Sequence, residues 1–218
     1  MPPDPGHRWH SSLARLGGDH HAGRDAWADL EERYGEPHRR YHDLAHATAV
    51  AHDAERLAVD LPVHERAVVV LAAWAHDVVY DAVPGSDEQR SAEWLRRWLT
   101  RAGVAAQHID QAEALVLATA AHEAPEGDFA AAALLDADLA TLGATPSEYA
   151  AYVDKVRQEY ARYPDEAWTT GRIAVLESLL NRPALYLTES ARSRWEAAAR
   201  RNLRAELTRC RSARGDHR

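Results

Sequence analysis

Val68-Val69-Val70-Leu71-Ala72-Ala73-Trp74-Ala75-His76-Asp77 is the stretch on which the fold of this chain turns. Its first eight residues are apolar on every side, so the segment belongs at the centre of a bundle. Length and alanine content favour a helix, from about His64 to Tyr80, over a buried strand. The run then ends on an imidazole and a carboxylate. At the end of a core helix both lose hydration, which is costly unless they pair or bind a cation. The simpler alternative is a buried histidine that hydrogen-bonds its neighbour's carboxylate.

Outward from this stretch the periodicity stays helical and β-branched alternation is scarce, which predicts an all-α bundle. Further helices are expected over about residues 25–34, 41–59, 106–122, 127–142, 146–160, 169–180 and 190–209. One more runs to Arg101, with Ser86 or Asp87 as N-cap. Gly35-Glu36-Pro37, Leu61-Pro62, Gly103, Gly143 and Asn181-Arg182-Pro183 supply the breaks. Residues 1–22, rich in Pro, Gly and His, read as a flexible segment, residues 23–210 as a single domain and 211–218 as a loose tail.

The chain has 218 residues, 46% of them hydrophobic and 28% charged, which suits a globular domain and excludes a fibrous or largely disordered chain. A formal charge of −8 gives no general attraction to nucleic acid or anionic membrane. The arginine-rich stretch after Arg192 lacks the aromatic interleaving of a nucleic-acid binder, and its acidic residues mark a solvated helix face. The single cysteine, Cys210, no apolar run of membrane-spanning length and no signal-like N-terminus lead to the expectation of a reduced, cytoplasmic protein. Trp94 and Trp98 read as core; were they exposed, that helix would suit a homodimer.

Other chemistry-bearing residues surround the doublet. His38, His42 and His46 recur every four residues, so two of these imidazoles could reach one ion; a solvated polar stripe is the alternative. Asp136 and Asp138 sit inside the apolar segment 134–139, about 200° apart on a helix, so at most one faces a given partner.

The order of these residues resembles the HD superfamily of metal-dependent phosphohydrolases, whose pattern is H…HD…D on a helical bundle. By this resemblance the first histidine is His46, the doublet His76-Asp77 and the last aspartate Asp138. Tyr41-His42-Asp43-Leu44-Ala45-His46, Asp87-Glu88 with Ser91-Ala92, Arg157-Gln158-Glu159-Tyr160 and Arg200-Arg201-Asn202-Leu203 are similar to a subgroup known only as predicted HD phosphohydrolases, so the likeness covers about residues 25–207. It implies an HD-type fold, a metal site of His46, His76, Asp77 and Asp138, and hydrolysis of a phosphoester or phosphoanhydride in a nucleotide or other small phosphorylated metabolite.

Two imidazoles and two carboxylates suit one divalent ion among Mn, Fe, Co, Ni, Zn and Mg. Asp77 is then a ligand that also steers the attacking water. Members that cleave guanosine tetraphosphate carry Glu-Asp after the doublet, whereas this chain has Tyr80-Asp81, which leaves Asp81 and Glu88 as candidates for the general base. Dinuclear members add histidines, and a few relatives use paired iron for oxygen chemistry. His122 lies in the corresponding stretch and is assigned to contact substrate or to support a metal ligand, with a structural histidine at a helix end as the alternative; His42 is assigned to substrate, with capping or plain hydrogen bonding as the alternative. For phosphate, Arg39 and Arg157 are the candidate cations. The non-enzymatic alternative is a ligand-binding or regulatory module that keeps the metal for structure.

Overall fold

Every residue from Ala67 to Ala75 is buried, and five helices pack around the helix that carries them. This is α4 (Val63–Ala75), in contact with α1 (Gly6–Arg15), α3 (Leu44–Leu57), α5 (Ser86–Arg101), α6 (Ala106–Ala118) and α7 (Phe129–Asp138). Burying Val68, Val69, Val70, Leu71 and Trp74 contributes roughly 1.5–3 kcal/mol each before chain entropy is counted. The computed structural model describes residues 6–83 and 85–215, and among them no strand forms. The architecture is all-α.

The chain divides into two compact units, Met1–Asp138 and Leu139–Arg218, where the sequence predicts one domain. In the first, α2 (His20–Tyr34) starts earlier than its periodicity suggests because Asp19 caps it, accepting the Ala22 N–H at 2.8 Å. The stretch expected to be flexible holds α1, whose Trp9 and Leu13 are buried in the core; Trp9 also donates its indole N–H to the Gly23 carbonyl at 3.0 Å. Composition misleads there because two apolar anchors outweigh the flanking polar residues. Residues 1–5 of that stretch lie outside the described residues.

The second unit begins with a 3-10 turn (Leu139–Gly143), followed by α8 (Pro146–Glu159) and α9 (Asp165–Asn181). It ends in α10 (Glu189–Ala191), a π-helical turn (Arg192–Glu196) and α11 (Ala197–Gly215). The predicted loose tail is therefore helical through Gly215, and residues 216–218 lie outside the described ones. Gly143 permits a close approach, since a Cβ there would stand 2.6 Å from that of Trp195. Asn202 donates to the carbonyls of Leu142 and Ala144, both at 2.9 Å, and ties α11 to the 3-10 turn.

Trp94 is buried and Trp98 half-buried; both donate to Asp29 Oδ2, at 2.7 and 3.1 Å. Trp94 belongs to the core of the first unit and Trp98 packs against it. Among the described residues no helix is long and apolar enough to cross a membrane.

Candidate metal centre

The site collects the ends of three helices. His46 is the third residue of α3, placed by Asp43, whose carboxylate accepts the N–H groups of Ala45 and His46 at 3.0 and 3.1 Å. His76 is the C-cap of α4, with Asp77 immediately after it, and Asp138 is the last residue of α7. The histidines' Nε2 atoms stand 3.3 Å apart. Asp77 Oδ2 lies 3.1 Å from His76 Nε2 and 3.5 Å from His46 Nε2; Asp138 Oδ1 lies 3.3 and 3.4 Å from the same two atoms. His46, His76 and Asp77 each offer a ligand atom within 4.8 Å of the others, a group that could hold a metal ion.

The donor chemistry fits a cation. His76 donates its Nδ1–H to the Ala73 carbonyl at 2.8 Å, which fixes the tautomer and leaves the Nε2 lone pair toward the cluster. His122 donates from Nε2 to Asp138 Oδ2 at 2.9 Å and orients that carboxylate. Burial works against charge on all four groups, yet their mutual attraction outweighs it. Burial lowers the pKa of each histidine, but hydrogen bonds and charge from Asp77 and Asp138 leave His46 raised and His76 well above 6.5. Burial likewise raises both carboxyls, but His76 first, with His46, holds Asp77 well below 3.8, and His76 with His122 does the same for Asp138. Four polar groups so arranged compensate one another with protons where a divalent ion would serve instead.

The remaining predicted residues fall in different places. His42 stacks on Tyr80 with ring centroids 4.2 Å apart and meets His46 edge-on at 5.5 Å, while Tyr41 lies 4.7 Å from the His46 ring. An aromatic wall thus flanks His46, and the sequence signal for its two tyrosines was only their place beside the histidine run and the doublet. His122 is at the cluster through Asp138, and its backbone adopts φ +50°, an uncommon conformation for a residue other than glycine.

Arg39 departs from its predicted substrate role. Its side chain is buried and donates from Nη1 to the carbonyls of His42 (3.0 Å) and Asp77 (2.7 Å), from Nη2 to that of Val78 (3.0 Å), and from Nε to Glu36 (3.0 Å). It locks the segment before α3 onto the turn that presents the doublet, a pairing 38 residues apart that no local pattern announces. His38 adds a hydrogen bond to the Tyr80 carbonyl at 2.8 Å.

Asp81 and Glu88 also take other roles. The Asp81 carboxylate meets Arg90 at 2.5 Å, and that hydrogen bond foremost lowers its pKa, which suits an ion pair better than a general base. Glu88 accepts the Gly85 N–H at 2.6 Å and so caps α5, whose N-cap is Gly85 where Ser86 or Asp87 was predicted. Asp87 is buried and accepts the N–H groups of Asp81 and Val83, both at 2.9 Å; Ser91 accepts that of Val79 at 3.1 Å. These residues hold the loop after the doublet. Arg157 lies in the second unit, where it donates to the carbonyls of Tyr160 and Tyr163 and pairs with Asp165 at 2.6 Å, closing the turn after α8. A cavity of about 200 Å³ beside Val79, two residues past Asp77, is lined by Arg33, Arg90 and Arg97 together with Glu93 and Trp94.

Comparison with protein-family models, with curated proteins and with solved structures returned no match.

Proposed function

We propose that this chain is a metal-dependent phosphohydrolase of the HD type, acting on a phosphoester or phosphoanhydride of a nucleotide or other small phosphorylated molecule. The observation that carries this reading is the convergence of His46, His76, Asp77 and Asp138, from three helices, on one point at the end of a buried bundle. Their mixed nitrogen and oxygen donors suit a single divalent ion of the Mn, Fe, Co, Ni, Zn or Mg class, with Asp138 as fourth ligand. Such an ion supplies Lewis acidity, polarising a phosphoryl oxygen and acidifying water.

The chain's own groups do the rest. His46 and His76, 5% and 1% exposed at the side chain, form a rigid floor. Asp77 and Asp138, at 20% and 15%, are the donors that reach water, and Asp77 is placed to orient the attacking one. His122 keeps Asp138 turned inward, which assigns it to positioning. Arg39 fixes the turn of the doublet, and the His42–Tyr80 stack walls one side of His46. The guanidiniums of Arg33, Arg90 and Arg97 face the cavity beside Val79.

The test is phosphate or pyrophosphate release from a panel of nucleotides and phosphomonoesters. The protein is stripped of metal and reloaded separately with Mn²⁺, Co²⁺, Ni²⁺, Mg²⁺ and Zn²⁺. Turnover that depends on metal and disappears in Asp77→Ala is the expected result. Metal bound without turnover on any substrate would replace the hydrolase with a binding module.

A further inference from the structure

A second cavity, of about 580 Å³, opens among α4, α6 and the start of α7. It has the size of pockets that hold small organic ligands, about 300–1,000 Å³. None of the four clustered donors lines it, and about 12 Å of helix separates Val68 in its wall from His76. Its floor is apolar, formed by Val68, Leu115 and Ala131, all buried. Its charged groups are of one sign, the exposed Glu65 and Glu123 and the half-buried Asp128, beside the neutral Gln111, and no Lys, Arg or His is among the lining residues.

We propose that this cavity binds a small organic cation with an apolar body, a hydrophobic ammonium ion. An anion of the same shape would meet three carboxylates without a compensating charge, so the site discriminates by sign. Leu117 and Ala118 bring the C-terminal end of α6 to the cavity, where the helix dipole favours positive charge. The N-terminal ends of α4 and α7 have the opposite tendency, and each is answered by a lining carboxylate: Glu65 in the first turn of α4, and Asp128, whose Oδ1 accepts the Ala131 N–H at 2.9 Å. Apolar surface is also left uncovered here: Leu117 is 38% exposed, and Phe129, between the lining residues Asp128 and Ala130, is 68% exposed. This inference is independent of the proposed hydrolase activity, since the cavity and the metal centre share no residue.

The experiment uses the intact chain and three matched probes, 2-phenylethylamine, 2-phenylethanol and 3-phenylpropionate, with dissociation constants from ligand-observed NMR titration at low salt. The amine should bind about fivefold tighter than the alcohol, as expected for partly exposed charge pairs, and the acid should not bind. Glu65→Gln with Glu123→Gln should bring amine and alcohol to equal affinity. Ala114→Phe, at an exposed lining position, should weaken both by filling the cavity while leaving helical circular dichroism intact. Equal affinity of the three probes for the unsubstituted chain, no binding of any, or amine binding unchanged in both variants would overturn the proposal.

Discussion

Two buried polar clusters, one in each unit, show what distinguishes a site from a brace. In the second unit Arg172 donates to Glu206 through Nε at 2.7 Å and Nη2 at 3.0 Å, and Tyr149 donates its hydroxyl to the same carboxylate. Donors and acceptors match, the charges cancel, and the groups are satisfied without any added partner. Burial first, then Glu206, pushes the Tyr149 hydroxyl well above its usual range, so it stays a neutral donor. In the first unit two imidazole Nε2 atoms and two carboxylates converge instead, a set with surplus lone pairs that protons or a cation must hold together. Closed complementarity marks a structural cluster; an excess of acceptors of one kind marks a place for a cation.

The largest expected effect breaks the closed cluster. Glu206→Ala strands the Arg172 guanidinium and should cost about 3–5 kcal/mol in urea unfolding, whereas Arg172→Met with Glu206→Leu should cost far less. Equal losses in the two variants would show that the pair itself, and no stranded charge, carries the stability.

Next in size is the open cluster. His76→Ala and Asp138→Asn should each lower metal affinity by more than the about 10–100-fold typical of outer partners, with helical circular dichroism retained. Full metal retention in both, measured by elemental analysis after dialysis, would disprove the assignment. Arg39→Lys sharpens the contrast, because a single ammonium cannot reproduce the fork to Asp77, Val78 and His42. It should weaken metal binding by about 10–100-fold with every ligand still present. Unchanged affinity would confine Arg39 to folding.

The smallest effect concerns Asp29, a carboxylate between the two extremes. Burial raises its pKa, but the Trp94 and Trp98 indoles and Arg33 outweigh that and hold it below 3.8. A depressed carboxyl contributes stability above its unfolded value that is lost as pH falls through the folded one. Urea midpoints measured downward from pH 3.8 should therefore fall less steeply in Asp29→Asn, and an unchanged acid limb would mean that the indoles hold nothing.

Much of this was legible in the chain itself. The all-apolar run before His76 is central because nothing on it tolerates water, and Gly103, Pro146 and the Leu61-Pro62 break fall close to observed helix ends. The residue types of the candidate metal centre were legible too, since a His-Asp doublet at the end of a core helix requires compensation. What failed was local. The Pro, Gly and His content of the first residues hid α1, and the acidic residues near Gly85 were assigned to chemistry or to a cap one or two positions late. Asp87 in fact turns back to hold the loop of the doublet.

The sequence alone determined most of the helices, the central element and the residue types of the doublet, because hydrophobic periodicity and desolvation act along the chain. The tertiary structure brings to the doublet the one histidine of three and the one aspartate of two that the family resemblance singles out, His46 and Asp138, a choice that local periodicity leaves open. It placed Asp138 against both imidazoles while Asp136 is fully buried within the same helix. It also made Arg39 a clamp and His122 a support for Asp138. These assignments depend on contacts between residues distant in sequence, set by how helices pack and not by what any one helix prefers.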